Sequence, residues 1–346
     1  MEGFSAAHAA SFAELSYYAS AYMRRQYPAE FFAAVLNSQP MGFYSPRTLV
    51  NEARRVGLAV LPPDVHLSGE GFTVEEDGRA IRVGLSYAKH LSRAANASIL
   101  AERKKRPFAS VLDLYSRTAV EKDGLGSLIR GGFLDTLGGR RDALLDAASR
   151  LQKKRPGRRG QKELPLPHTP RAGGSRGSAH RAGYLPLTED RRERMEWEAL
   201  TLNASRHPLA PYRGPLGELG AVPSSRMISL PHGTRARAVG LLESLQRPPT
   251  RSGRPVYFLL VDDEWGLLQA TIFRPVYERY GELPHHEGAF LLEGVVEQDA
   301  DRGFSFLVRH IESLREVLAD AKGPAPKAAS SSGAFLRAGR QSQRAG

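Results

Sequence analysis

The run Asp262-Asp263-Glu264 and the pair Asp299 and Asp301 are the closest this sequence comes to a metal-dependent catalytic centre. Hard divalent cations need several oxygen ligands converging from separate positions. The first run leads into Gly266, so it reads as the end of a strand entering a turn. The second, Asp299-Ala300-Asp301-Arg302-Gly303, reads as a hairpin turn. His285-His286 follow Pro284 in a loop, and adjacent loop residues seldom share one ion. His207-Pro208 reads as a turn or capping element. Ser5, His8 and Ser11 share a helix but lack an orienting acid and an oxyanion donor. Cysteine is absent, which excludes disulfides, thiol catalysis and Cys-ligated zinc. No G-x-x-x-x-G-K-[ST] loop occurs, so a phosphate-loop NTPase is excluded. No catalytic residue and no metal ligand is assigned to this chain.

The basic residues suit a different chemistry, the binding of phosphate. Lys89, Arg93, Arg103, Lys104, Lys105 and Arg106 cluster in one stretch. Arg247, Arg251 and Arg254 fall in one loop. Trp265, in a turn, is the best-placed aromatic for stacking on a base. Phe258, Phe273 and Phe306 are further aromatics of that region, with Phe258 and Phe273 expected in the core. The formal net charge is +12 over 346 residues, from 49 Lys+Arg and 37 Asp+Glu. Residues 150–182 hold ten Lys/Arg against one acid, and 322–346 hold five against none. These two segments carry more than the whole excess and leave the rest near −2. Both are rich in Gly, Pro, Ser and Ala, lack an apolar period and read as disordered. Within the remainder, 81–149 holds twelve bases and seven acids, so it is the better place for phosphate contact. No apolar run approaches a membrane span, and the N-terminus lacks the pattern of a secretory signal.

The elements that must position these residues follow from periodicity. Residues 5–37 read as two helices broken at Tyr27-Pro28. Phe12, Leu15, Ala19 and Tyr22 form an apolar stripe on the first, and Phe32, Val35 and Leu36 face inward on the second. Thr48–Val56 is a helix ended by Gly57, and Leu58–Leu61 is a short apolar run. Residues 81–149 read as short helices joined by glycine turns, with Ser92 and Ser110 as N-caps. That pattern suits helix-hairpin-helix architecture, in which backbone N–H groups receive a DNA phosphate. Thr188–Thr201 is a further helix. From 234 the period changes to that of strands: Arg235–Leu242, Val256–Asp262, Leu267–Phe273, Ala289–Glu297 and Phe304–Ile311. A helix, Val276–Tyr280, falls between the third and fourth. Five strands with a helix in that place predict an OB-fold barrel. The fold class is α+β and multidomain. The expected divisions are 1–80, 81–149 (helix-hairpin-helix), 150–182 (basic linker), 183–231 (helical connector), 232–318 (OB-fold) and 319–346 (basic tail).

Particular motifs carry a family resemblance. Gly3-Phe4-Ser5-Ala6-Ala7-His8-Ala9-Ala10-Ser11-Phe12 and Tyr27-Pro28-Ala29-Glu30-Phe31 resemble the C-family bacterial DNA polymerases. Leu36-Asn37-Ser38-Gln39-Pro40-Met41-Gly42-Phe43-Tyr44-Ser45-Pro46 resembles their error-prone branch. Val60-Leu61-Pro62-Pro63-Asp64-Val65, Gly131-Gly132-Phe133-Leu134-Asp135-Thr136-Leu137-Gly138, His207-Pro208-Leu209 and Leu292-Glu293-Gly294-Val295-Val296 follow in family order. The resemblance implies the C-terminal part of such a polymerase: the end of the fingers region, the helix-hairpin-helix domain and the OB domain. It implies DNA as partner and translesion synthesis or DNA repair as the setting. A palm-containing polymerase chain, the sliding clamp and other translesion proteins are the implied protein partners. The metal-binding aspartates of the family's palm have no counterpart here. The chain alone is therefore expected to be inactive, with Mg needed only in a palm-containing partner or full-length enzyme. The implied location is cytoplasmic, with the nucleoid, and no membrane partner is expected. The alternative is a stand-alone helix-hairpin-helix/OB binding or adaptor protein. Gln161-Lys162-Glu163-Leu164-Pro165-Leu166-Pro167 faintly resembles a clamp-binding peptide without its terminal aromatic, and reads more simply as linker. Ala88-Lys89-His90-Leu91-Ser92 stands where the family usually has a glycine-containing hairpin, which puts phosphate binding there in doubt.

Overall fold

The computed structural model describes residues 10–42, 44–151, 188–200, 202–249, 255–286, 288–299 and 303–321. The basic linker from residue 152, the basic tail from residue 322, the clamp-like peptide and Ser5 and His8 lie outside the described residues, and residues 319–321, expected in the tail, close a helix, Leu314–Ala321. The chain folds as two compact units. One comprises residues up to Gly42 and Val56–Ser205; the other comprises Phe43–Arg55 and the residues from Arg206 onward.

The first unit opens with a π-helical turn, Ala13–Tyr18, that runs into α1 (Ala19–Gln26). No residue of either is buried, so the expected apolar stripe lies open. α2 (Pro28–Asn37) starts at a proline, whose fixed φ suits a first helical position. It buries Ala29, Phe32, Ala33 and Leu36. The next helix, α3 (Pro46–Arg55), belongs to the second unit. A small sheet follows, of β1 (Ala59–Leu61), β2 (Thr73–Glu75) and β3 (Ala80–Arg82), in the order β1-β3-β2. The sequence marks this sheet only by the apolar run Leu58–Leu61, because three-residue strands are too short to display alternation.

Four short helices complete the cluster: α4 (Arg93–Lys105), α5 (Val111–Arg117), α6 (Lys122–Arg130) and α7 (Arg141–Ser149). α8 (Glu189–Leu200) packs in the same unit. Ser92 Oγ accepts from Ala95 N at 3.1 Å and Ser110 Oγ from Asp113 N at 3.1 Å, as expected of N-caps. Leu85, Ile99, Leu114, Leu125, Leu128, Ile129 and Phe133 are fully buried. Each large apolar side chain so buried contributes about 1.5–3 kcal/mol.

The second unit is a closed barrel of β4 (Arg235–Gln246), β5 (Val256–Asp262), β6 (Leu267–Phe273), β7 (Ala289–Asp299) and β8 (Gly303–Ser313). Their order is β4-β5-β6-β8-β7, with β6 parallel to β8 and the other pairs antiparallel. A helix, Arg274–Tyr280, lies between β6 and β7. This is the strand order of an OB-fold, as the sequence predicts. β4 runs past its expected end because its first half pairs with β7 and its second with β5.

One expectation fails in phase. Tyr257, Leu259 and Val261 face the core, so Phe258 lies on the outer face and is only half-buried. Phe273 is 44% exposed, whereas Phe306 is fully buried. Two adjacent aromatics leave the alternation ambiguous by one residue, and a one-residue slip turns every side chain over.

α3 is bound to the barrel by buried polar contacts. Arg47 pairs with Glu243, whose other oxygen accepts from Ser45 Oγ at 2.9 Å. Asn51 Nδ2 donates to Asp262 Oδ2 at 2.8 Å, and Arg55 pairs with Asp262 Oδ1. His207 Nε2 lies 3.6 Å from Asp262 Oδ2, too far for a hydrogen bond. Its Nδ1 accepts from Leu209 N at 3.1 Å, the capping role expected. Burial alone would raise the Asp262 carboxyl, but His207 and Arg55 outweigh it and hold the group below its ordinary value.

Candidate nucleic-acid interface

In the first unit, residues 88–92 form a tight turn that leads into α4. Leu91 N donates to Ala88 O at 3.3 Å, and Lys89 N donates to Ala199 O at 2.9 Å. His90 takes φ +59°, in the left-handed region. Glycine occupies that region without cost, whereas other L-residues are disfavoured by about 1–2 kcal/mol. The hairpin therefore keeps a glycine-like path with a histidine in place, and the His90 side chain is exposed. A second turn joins α6 to α7, with Gly132, Gly138 and Gly139 left-handed. Arg141 braces it from inside: its guanidinium donates to Asp135 at 2.9 and 2.7 Å and to Arg130 O at 3.0 Å.

His90→Gly is expected to relieve this cost and raise stability by up to about 1 kcal/mol, whereas His90→Val is expected to lower stability, because a β-branched side chain resists φ near +60° more than histidine does. Thermal unfolding of the two variants checks this.

The six basic positions of this unit separate into two groups. Lys89 and Arg93 lie at the hairpin end of α4, Arg93 exposed and Lys89 half-buried. Burial lowers the Lys89 ammonium despite the nearby Glu198. Arg103, Lys104, Lys105 and Arg106 lie at the other end, about 15 Å along the helix. Arg103 turns inward and donates to Val65 O at 3.1 Å and Ser68 O at 2.6 Å. Lys105 pairs with Glu102 at 2.6 Å, and Arg106 with Asp113 at 2.8 Å. Lys104 is exposed.

In the second unit, Arg247 is exposed at the end of β4, its guanidinium 5.7 Å from the centre of the Tyr257 ring. That distance permits a cation–π contact. Tyr257 stacks in turn on Tyr277, with centroids 3.6 Å apart. Arg251 and Arg254 lie outside the described residues. Trp265 is 44% exposed, and its amide donates to Asp263 Oδ1 at 2.7 Å. Asp263 also accepts from Gly266 N, Ser224 N and Ser224 Oγ, so it builds the turn that presents the indole.

β5 runs from the end beside Arg247 to this turn, so Arg247 and Trp265 stand about 20 Å apart, at opposite ends of the strand. They do not form one cluster. Near Arg247 stand Phe258 and Phe273 instead. Val256 pairs with Phe273 and Phe258 with Thr271, which places both rings on the outer β5–β6 face. In OB-folds the face of the second and third strands and the loop after the first are the usual nucleic-acid contact. Counting the register back from the turn at Gly266 would have revealed this face. Among the described residues, no three His, Asp or Glu side chains come together to hold a metal.

The helix-hairpin-helix motif family matches residues 57–144. An error-prone DNA polymerase of Symbiobacterium thermophilum is 37% identical over 315 residues, covering 81% of this chain and 29% of that one. Those of Corynebacterium glutamicum and Nocardia farcinica are 34% and 32% identical, covering 85% and 90% of this chain and 26% of each of theirs. The chain is a partial-length relative of the error-prone DNA polymerases. It spans less than a third of the length of these relatives. Solved structures similar to this polymerase relative include the yeast mitochondrial single-stranded DNA-binding protein Rim1. That chain is 13% identical, with 24% of this chain and 96% of that one covered and a TM-score of 0.20. The second OB-fold domain of replication protein A from Methanococcus maripaludis is 17% identical, with 25% and 88% covered and a TM-score of 0.18. The barrel of the polymerase relative is assigned by its own strand order. Its motif match starts at residue 57, so β1–β3 belong to the matched region, as does the connection between β1 and β2, whose Val65 and Ser68 carbonyls hold Arg103. Among the described residues, no helix of the polymerase relative is long and apolar enough to cross a membrane.

Proposed function

We propose that this chain is the DNA-holding part of an error-prone DNA polymerase that acts in translesion synthesis and DNA repair. The observation that carries the reading is the outer β5–β6 face. There Phe258 and Phe273 stand near Arg247, which follows Gln246, the β4 partner of Phe258, on a barrel that shares a chain with helix-hairpin-helix turns. The aromatic face offers stacking platforms to unpaired template bases, a sequence-tolerant mode of binding. The turn at 88–92, with Lys89 and Arg93, offers amides and charge to a duplex phosphate. Exposed Lys104, and Lys105 and Arg106 at the far end of α4, extend the basic surface, while Arg103 holds the motif in shape. Trp265 adds a stacking site at the other end of the barrel. Polymerisation and its Mg belong to a palm-containing portion, in the same or another chain. The sliding clamp and other translesion proteins are further partners in this reading.

The experiment is a salt titration of primer–template binding by the full chain. Each true phosphate contact adds about 0.7–0.9 to the log–log slope. Neutralising Arg247, Arg251 and Arg254 together should flatten the slope by about two. An unchanged slope removes the loop from the interface. Robust metal-dependent primer extension by this chain alone would overturn the holding role.

A further inference from the structure

Lys89 differs from the other lysines among the described residues. Lys104 is exposed, Lys105 pairs with Glu102, and exposed Lys122 donates to Ser149 O. Lys89 is half-buried in the turn at 88–92, and among the described residues no hydrogen bond or ion pair holds its amine. A lysine is seldom buried without a partner, because desolvation disfavours its charged form. Burial accordingly lowers the Lys89 ammonium, although the Glu198 charge acts the other way. The free base is the nucleophilic form of a lysine, so burial turns a phosphate-binding cation toward amine chemistry. The backbone fixes where that amine starts. Lys89 N donates to Ala199 O at 2.9 Å, which ties the turn to the end of α8. Exposed Glu198 is one residue from that acceptor, close enough for its charge to act on Lys89. Gly124 of α6 also packs on the turn, since a Cβ there would meet His90 O at 2.9 Å. An amine and a carboxylate thus share a braced turn within the helix-hairpin-helix match.

Such an amine condenses with aldehydes to form an imine. DNA presents an aldehyde where a base has been lost, at C1′ of the ring-opened deoxyribose. We propose that Lys89 attacks that aldehyde, with Glu198 as proton acceptor, and so cleaves DNA at abasic sites. With one proton taken up, Lys89 Nζ adds to C1′ and water leaves, giving a protonated imine. Glu198 takes a proton from C2′, and that electron pair becomes the C2′–C3′ double bond as the C3′–oxygen bond breaks. The 3′-phosphate leaves with the bonding pair, and water hydrolyses the imine to return the amine. No oxidant or reductant is consumed. This inference rests on the DNA-holding reading above and gives one of its contact residues a chemistry.

The test mixes the full chain with a duplex holding one abasic deoxyribose and adds borohydride, which reduces the imine to a stable amine. A covalent adduct should form, and after trypsin it should map to Val83–Arg93 with Lys89 uncut. That mapping uses the parent chain, so it does not depend on how a variant folds. Lys89→Arg keeps the charge but stays protonated, so this adduct should be lost. Glu198→Gln should keep the adduct and slow strand cleavage, measured without borohydride, by about 100-fold, as loss of a general base does. Absence of an adduct overturns the proposal. So does an adduct that maps only to other lysines or to the N-terminal amine, or one that Lys89→Arg retains. Cleavage by Glu198→Gln at the parent rate overturns the role of Glu198. Saturable binding of the duplex without an adduct sinks the proposal and spares the DNA-holding reading. An adduct at Lys89 from a chain with no salt-sensitive primer–template affinity does the reverse.

Discussion

Asp262→Ala lowers the stability of the barrel unit by about 3–5 kcal/mol, the usual cost of removing one partner from a buried charge pair. The Asp262 carboxylate is fully buried and accepts from Asn51 and Arg55. Its loss leaves the Arg55 guanidinium, 13% exposed, without its main counter-charge and Asn51 without its acceptor. It also frees α3, whose Asn51 lies 211 residues before Asp262 in the chain. Denaturant titration followed by Trp fluorescence reads the change; a loss under 1 kcal/mol would mean that α3 is held by other contacts. The pH dependence has a defined sign. The folded-state carboxyl is held below its ordinary value, so its stabilisation is complete above about pH 4. It fades as the pH falls further, through the folded-state value. Asp262→Asn should lack that acid-sensitive component.

Phe258→Ala with Phe273→Ala weakens binding of single-stranded DNA by about 2 kcal/mol or more, roughly 30-fold, because each base–aromatic stack is worth ~1–3 kcal/mol. Neither ring is in the core, so the barrel should keep its unfolding midpoint within about 2 °C. The same pair should leave blunt duplex binding unchanged, since duplex contacts are assigned to the helix-hairpin-helix unit. Fluorescence anisotropy on oligothymidine and on a blunt duplex separates the two. Unchanged oligothymidine affinity would remove the β5–β6 face from the interface.

Much of this was legible in the sequence because it depends on local patterns. Ser92 and Ser110 were readable as caps, since a cap needs only a short polar side chain before a helical period. The five barrel strands were readable because each alternates for seven residues or more. The phase of β5 was not, because Tyr257 and Phe258 are adjacent and either could face inward. The union of α3 with the barrel was also hidden. Arg47, Asn51 and Arg55 carry polar side chains that any solvated helix face would carry, and only their partners at Glu243 and Asp262 give them a role. Asp262-Asp263-Glu264 was readable as a strand entering a turn. The burial of the first two acids was not, because it depends on guanidinium, amide and hydroxyl donors distant in sequence. The basic run at 103–106 was divided by the same kind of contact, since nothing near Arg103 in the chain marks its carbonyl partners.

The most direct measurement compares the affinity of the full chain for a primer–template with a single-stranded overhang and for a blunt duplex of equal length, across a range of salt. The linker and tail, with fifteen bases against one acid, add attraction to both substrates alike. A preference for one over the other therefore reports the folded units. The account predicts about tenfold tighter binding to the overhang substrate at 150 mM salt, abolished by Phe258→Ala with Phe273→Ala. Equal affinity for the two substrates, or a preference that survives in the double variant, would contradict it.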